Sequence, residues 1–497
     1  MSPAPPLLAE LVNGMVHRPK GVPTTATLNP ATGEVLALAP VADCARVKQA
    51  IAAARAAYHD RRWVGLPSAV RAHALRGLAD ELEANLEAFA QAETADTGMT
   101  LKMTRQGHIP RSVAHLRFFA GECERLKGES VAMEDAYVQL IEREALGVVG
   151  ILAPWNAPLA VATINLGAAL AMGNSVVLKT SERAPYTLSL LAELVAELDF
   201  PAGVINILHG PGDPTGTAMA ESPHLDGLCF VGGTDTARSI TARSNHPFRR
   251  NTLELGGKSA TLIMRDANLE EALDGALLSV FSSNGEVCTS GSRLLVHRSI
   301  YRDFVDAFVE RTQRIVVGDP LDEATELGPL IDAAHQRDVE RHIHTAIQQG
   351  AKLRSGGRRP PGLKQGFYLS PCVLEDVMPH MDVFRQEVFG PVAAFTAFDD
   401  EKDAIELAND TAYGLAATIW CGDTGAGIAL ARRMHCGVVG VNSPVIRDLR
   451  VPFGGRGASG LGRVGGRWSL EQYSELKTTC LRVKGYPLPR YGLLDAP

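Results

Sequence analysis

The chain has 497 residues, 45% of them hydrophobic and 21% charged, and a formal net charge of −7 from 49 basic and 56 acidic residues. That length exceeds one ordinary core and predicts two or three domains, and the composition excludes a disordered chain. Charges are scattered, with isolated basic pairs beginning at Arg249, Arg358 and Arg432, which excludes nucleic acid and an anionic membrane as expected partners.

Residues 1 to 25 are Pro-rich and poorly patterned, and read as a loosely attached arm without the positive and apolar regions of a secretory leader. A turn and short strand follow from Asn29. Ala45 to Tyr58 and Pro67 to Thr97 carry apolar residues at helical spacing, so amphipathic helices are expected there, and His108 to Leu126 continues the pattern. Val131, Tyr137, Val138, Leu140 and Ile141 suggest extended strands meeting at a polar turn near Glu134 and Asp135. Such a hairpin, projecting from its domain, is a candidate subunit contact.

No residue from Ala145 to Leu178 is charged, but Pro154, Asn156, Pro158, Asn165 and Asn174 divide the stretch into buried strand, loop, helix and strand rather than a membrane span. From Gly147 onward short apolar runs alternate with helical patterns: GVVGILA, NSVVLK, GVINILHG, LDGLCFVGG, TLELGG and SATLIM. This alternation predicts an α/β fold with doubly wound, mostly parallel sheets, whose ligands bind at the carboxyl ends of the strands. Pro154-Trp155-Asn156, Lys179 to Glu182, Gly232-Gly233-Thr234 and Glu254 all directly follow a predicted strand. A second alternating region starts at SRLLVH and ends in the loop PFGGRGASGLGRVGG.

Eight cysteines are spread thinly with no C-x-x-C pair, which predicts neither a disulfide framework nor a metal site and points to a reducing compartment, the cytoplasm. Of these, Cys288 follows Gly285 at the end of a helical pattern, and Glu254 sits in an uncharged run before a glycine pair. Together they make a candidate nucleophile and base. A free thiol has a pKa near ~8.5 and needs help from its setting. An alkoxide formed by its attack needs donors, for which Asn156 and the Cys288 N–H are candidates. Lys179 and Glu182 suit the hydroxyls of a ribose, and a carboxylate there repels a 2′-phosphate, so NAD is favoured with NADP left open.

Eight motifs in order resemble those of the aldehyde dehydrogenase superfamily: PWNAP at Pro154, KTSE at Lys179, ELGGKS at Glu254, GEVCTSGSR around Cys288, QEVFGPV at Gln386, NDTAYGL at Asn409, VN at Val441 and PFGGRGASG at Pro452. The resemblance runs from Asn29 to Thr478. It implies an NAD-binding domain (residues 1–122 and 145–256), a catalytic domain (257–468), and a small β oligomerisation element (123–144 and 469–497) joining a homodimer or homotetramer. It also implies NAD-dependent oxidation of an aldehyde to an acid. Cys288 would form the thiohemiacetal and thioester, Asn156 and the Cys288 N–H would hold the oxyanion, and Glu254 would activate water. Lys179 and Glu182 would bind the adenosine ribose, Gly232 and Thr234 the pyrophosphate, and Trp155, Glu387 and Phe389 would line the nicotinamide end. Ala237 stands where many members have glycine, and Glu286 where many have glutamine. Ala157 and Ile164 replace bulky aromatics, which predicts a wide entrance and a medium-to-large or aromatic aldehyde, with Arg447 and Arg450 near the mouth to attract an anionic or polar aromatic one. A CoA-acylating relative, or a non-catalytic binding protein on this fold, are the alternative readings.

Overall fold

The computed structural model describes residues 4–133, 136–484 and 491–492. The expected polar turn at Glu134 and Asp135 lies outside them. Two sheets carry the architecture. In the first, the strands run in the order Gly460–Leu461, Arg250–Leu255, Gly227–Gly232, Val148–Leu152, Ser175–Lys179, Ile205–Leu208, Glu10–Val12 and Met15–His17. The five central strands are parallel. Val148–Leu152 and Ser175–Lys179 are buried along their whole length, as Val-rich strands covered by helices on both faces must be.

The order of these strands positions the site. After Val148–Leu152 the chain builds outward through Ser175–Lys179 and Ile205–Leu208, then returns to the other side with Gly227–Gly232. The sheet therefore reverses direction between Val148–Leu152 and Gly227–Gly232, where the crevice of a doubly wound fold opens. The register pairs Phe230 with Leu152 and Val231 with Glu254, so the PWN loop, the Gly232–Thr234 turn and Glu254 emerge side by side.

The second sheet runs Lys352–Ser355, Cys372–Glu375, Val392–Phe398, Arg293–His297, Ala260–Ile263, Ala416–Trp420 and Val438–Val441, parallel except at the Lys352–Ser355 edge. A third, antiparallel sheet joins Glu129–Met133, Tyr137–Ala145 and Ser474–Arg482, with Val131, Met133 and Leu476 exposed. Near its end the chain returns to the first sheet, where Gly460 pairs with Glu254.

One expectation is overturned. The N-terminal region is no loose arm: Glu10–Val12 is buried, pairs with Met15–His17 in a hairpin turned by Asn13 (φ 54) and Gly14 (φ 77), and adds to the first sheet through Leu11 opposite Ile207. Asn-Gly is the strongest two-residue hairpin signal, and the flanking prolines obscured it. Because Leu11 is 1% exposed, Leu11→Ala is expected to destabilise the fold by about 3 kcal/mol, read as a lower urea midpoint with unchanged slope. A shift indistinguishable from zero would return the segment to the status of an arm.

Candidate active site

The strand Arg250–Leu255 belongs to the first sheet and Ala260–Ile263 to the second, so residues 256 to 259 are the crossing between them. Two glycines make the crossing passable. A Cβ on Gly256 would sit 1.9 Å from Glu387 Oε2, and one on Gly257 would sit 2.9 Å from the Cys288 carbonyl oxygen. Glu387 is fastened there, its Oε1 accepting the Gly257 N–H at 3.0 Å. The crossing thus gathers Glu254, Glu387 and Cys288 onto one length of bare backbone.

Cys288 follows the helix Leu269–Phe281 on a contorted loop. Ser283, Asn284 and Gly285 take successive positive φ angles of 49, 59 and 72, a left-handed run that side chains adopt only when surroundings impose it. Asn284 imposes it. Its Nδ2 donates to Gly98 O at 3.2 Å and Pro329 O at 3.0 Å, and its Oδ1 accepts the Gly328 N–H at 2.8 Å. Glu286 is fully buried, its Oε1 accepts the Ile331 N–H at 3.0 Å, and burial holds its carboxyl well above the usual range. Its side chain is turned toward Ile331, while the charges acting on the Cys288 thiol come from Arg447, Glu387 and Glu254. Asn156 is tied to the same loop, its Nδ2 donating to Glu286 O at 2.8 Å. The second N–H of that amide remains free to donate.

Burial pushes the Cys288 thiol up to about 11; Glu387 and Glu254 add to the rise, and Arg447 and the residue's own N–H oppose it. Burial likewise pushes Glu254 up to about 8 against the pull of Arg447 and Arg463. Neither oxygen of the Glu254 carboxyl has a hydrogen-bond partner. A carboxyl that is buried, unpartnered and titrating near neutrality is equipped to exchange a proton with a water molecule.

The expected cofactor residues line the reversal point. Lys179 ends its strand with its buried Nζ donating to Thr180 O at 2.8 Å and Gly210 O at 2.6 Å, and 3.6 Å from Glu182. Gly232 ends the next strand, and Thr234 opens the helix Thr234–Ala242 with its hydroxyl donating to Ala458 O at 2.9 Å. At Gly233, between them, a Cβ would meet nothing within 4 Å. Open space before a helix N-terminus fits a pyrophosphate. Ala237, which stands where many members have glycine, lies inside the helix with its methyl in the core. Trp155 packs edge-on to Phe389 and His335, with ring centroids 5.2 and 5.3 Å away.

Two groups were not foreseen in the sequence. Arg111 and His115 lie one turn apart on the helix Ile109–Glu124, so they share a face. That i,i+4 pairing of a cation and an imidazole inside an otherwise apolar stripe was the available signal. Arg111 is a charge neighbour of Arg447 and Cys288, and burial lowers its pKa to about 10. Of the two arginines expected at the mouth, Arg450 is engaged by Asp448 at 2.6 Å. Arg447 keeps solvent access and lies over the Phe453 ring, 4.1 Å from its centroid. Ile164 packs in the core, and Ala157 caps the helix Pro158–Ala171.

A part-buried thiol and a raised carboxyl thus meet where the chain crosses between two mostly parallel sheets, beside the point at which the first sheet reverses, an arrangement suited to a thiol nucleophile working with a bound nucleotide. The profile of the aldehyde dehydrogenase family matches residues 17–479, and the chain belongs to that family: it is an oxidoreductase acting on aldehydes. It is 42% identical over 448 residues to the 5-carboxymethyl-2-hydroxymuconate semialdehyde dehydrogenase of Escherichia coli, covering 89% of this chain and 94% of that one. It is 36% identical over 484 residues to the 2-hydroxymuconic semialdehyde dehydrogenase of Pseudomonas sp. (strain CF600), covering 96% and 99%. Among solved structures it resembles the NAD+ complex of an aldehyde dehydrogenase from Bacillus cereus, with a TM-score of 0.94, 35% identity, and 96% and 97% of the two chains covered.

The raised thiol has a direct readout. Alkylation of Cys288 in the cofactor-free protein, followed by peptide mass spectrometry, is expected to keep accelerating from about pH 7 to about pH 9 without a plateau. Arg447→Gln is expected to move the rise to higher pH. A plateau below about pH 8 would contradict the assigned environment.

Proposed function

We propose that this chain oxidises the aldehyde end of a conjugated dicarboxylic semialdehyde to the carboxylate, with Cys288 as nucleophile and Glu254 as base. The observation that carries the substrate class is the pair Arg111 and Arg447. Both are charge neighbours of Cys288, and among the described residues neither guanidinium has an ion-pair or hydrogen-bond partner. Two unpaired cations facing a site call for an anion, and a substrate carboxylate supplies one. The semialdehydes for which the two relatives are named carry such a group.

In this reading the Cys288 thiol loses its proton to water, the sulfur adds to the aldehyde carbon, and the oxygen becomes an alkoxide held by the free N–H of Asn156 and the backbone N–H of Cys288. NAD supplies the acceptor for the hydride that the thiohemiacetal gives up. Lys179 and Glu182 would hold its adenosine ribose, Gly232 and Thr234 its pyrophosphate, and Trp155, Glu387 and Phe389 would line its nicotinamide end. Glu254 then takes a proton from water, which attacks the thioester and returns the Cys288 thiol. Since Glu254 titrates near about 8, it carries a proton below that pH and is a free base above it. Hydrolysis should therefore speed up as pH rises toward 8. A base aimed at water favours hydrolysis over transfer to CoA, which brings its own thiol nucleophile.

The same reading divides the chain into a cofactor domain (1–122 and 145–256), a catalytic domain (257–468) and an oligomerisation element (123–144 and 469–497). The exposed apolar residues of the three-stranded sheet support a homodimer or homotetramer, working in the cytoplasm.

NADH formation across acid semialdehydes and neutral aldehydes tests the proposal. Cys288→Ala is expected to abolish activity, and Glu254→Gln to leave a burst of one product per site followed by slow turnover. Arg111→Gln and Arg447→Gln are each expected to lower kcat/KM for semialdehydes by roughly 10- to 100-fold, with a smaller effect on neutral aldehydes. Equal efficiency of the wild type on charged and neutral aldehydes would sink the substrate assignment. Full turnover by Glu254→Gln would sink the base.

A further inference from the structure

His115 is 1% exposed, one turn along the helix from Arg111, and a charge neighbour of both Arg447 and Arg111. Its Nδ1 lies 3.2 Å from Thr163 Oγ1. The single hydroxyl proton of Thr163 is directed to Ala160 O, also at 3.2 Å. Oγ1 must then accept, so the imidazole hydrogen sits on Nδ1 and Nε2 is left as a bare lone pair. That Nε2 is buried and has no hydrogen-bond partner. Burial and the two flanking arginines keep the ring from gaining a second proton, holding its pKa well below the ordinary value. The arginine pair therefore comes with a third polar group of opposite hydrogen-bonding sense: two donors of positive charge and one neutral acceptor.

An acceptor beside a carboxylate-binding pair has a defined complement. We infer that His115 Nε2 accepts a hydrogen bond from a donor on the substrate carbon next to the carboxylate, a 2-hydroxyl or 2-amino group, and so makes the enzyme selective for 2-substituted over unsubstituted acid semialdehydes. The inference rests on the carboxylate reading of Arg111 and Arg447. Its physical basis is that a buried acceptor without a donor is penalised, so an aldehyde lacking the 2-substituent binds with Nε2 unpaired. Thr163 is the positioning partner, because its hydroxyl fixes which nitrogen bears the hydrogen. His115 does not touch the reacting carbon, and it acts on discrimination between substrates.

The test compares kcat/KM for 2-hydroxymuconic semialdehyde and for muconic semialdehyde, with hexanal as the uncharged control. In the wild type the 2-hydroxy compound is expected to be favoured roughly tenfold or more over its unsubstituted counterpart. His115→Phe should bring that ratio close to one. His115→Gln, whose amide oxygen accepts, should retain most of it. Where the Phe variant does not fold, His115→Met removes the acceptor at similar volume and its ratio decides. A wild-type ratio near one, or a ratio unchanged in the Phe or Met variant, overturns the role of His115 while a strong preference of both semialdehydes over hexanal leaves the arginine assignment standing. If hexanal is oxidised as efficiently as either semialdehyde, the arginine assignment falls first and this one with it.

Discussion

The site depends on a length of backbone with no side chains. Gly256 and Gly257 carry the chain from one sheet to the other, and the space their missing Cβ atoms leave is filled by the Glu387 carboxyl and the Cys288 carbonyl. A methyl group on Gly256 would lie 1.9 Å from a carboxyl oxygen, a separation no rotamer change of a fastened side chain relieves. Candidate catalytic groups from three separate stretches of sequence converge because the crossing is thin enough to let them.

Convergence brings an electrostatic problem that the chain resolves unevenly. A thiol and two carboxyls are gathered where burial opposes their ionisation: Cys288 is pushed to about 11, Glu254 to about 8 and Glu387 to about 7. Lifting a thiol by about two pKa units corresponds to roughly 3 kcal/mol against forming the thiolate. Arg447 is the protein charge that opposes this at both Cys288 and Glu254. In the proposed reaction one arginine thus links substrate capture to nucleophile and base. A cation placed only for substrate binding would have no reason to act on all three.

Much of this was legible in the sequence. Central parallel strands are covered on both faces, so they appear as unbroken apolar runs, and residues directly after them fall at the crevice by topology alone. That is why the positions of Asn156, Lys179, Gly232, Thr234 and Glu254 at strand ends are readable from the sequence alone. Arg111 and His115 are not, because a polar pair on a buried helix face looks the same whether it faces water, a salt bridge or a ligand. The strand Gly460–Leu461 is too short to carry a period, and its partner is more than two hundred residues away. Glu286 is two residues from the thiol in sequence, yet after the left-handed turn before it its side chain meets Ile331 instead.

The pairings made by the last part of the chain also bear on the order of assembly. Ser474–Arg482 runs the full length of Tyr137–Ala145, Gly460 pairs beside Glu254, and the Tyr473 carbonyl accepts from Asn174 Nδ2 at 2.9 Å. A ribosome emitting about 5 to 20 residues per second would release the first sheet many seconds before these closing segments exist. Until they arrive, the edge strand bearing Glu254 has an open flank. The nascent polypeptide therefore passes through a stage in which the parallel strands exist but Val464, Leu470 and Tyr473 have yet to close their core, a stage during which holding chaperones would find their natural target.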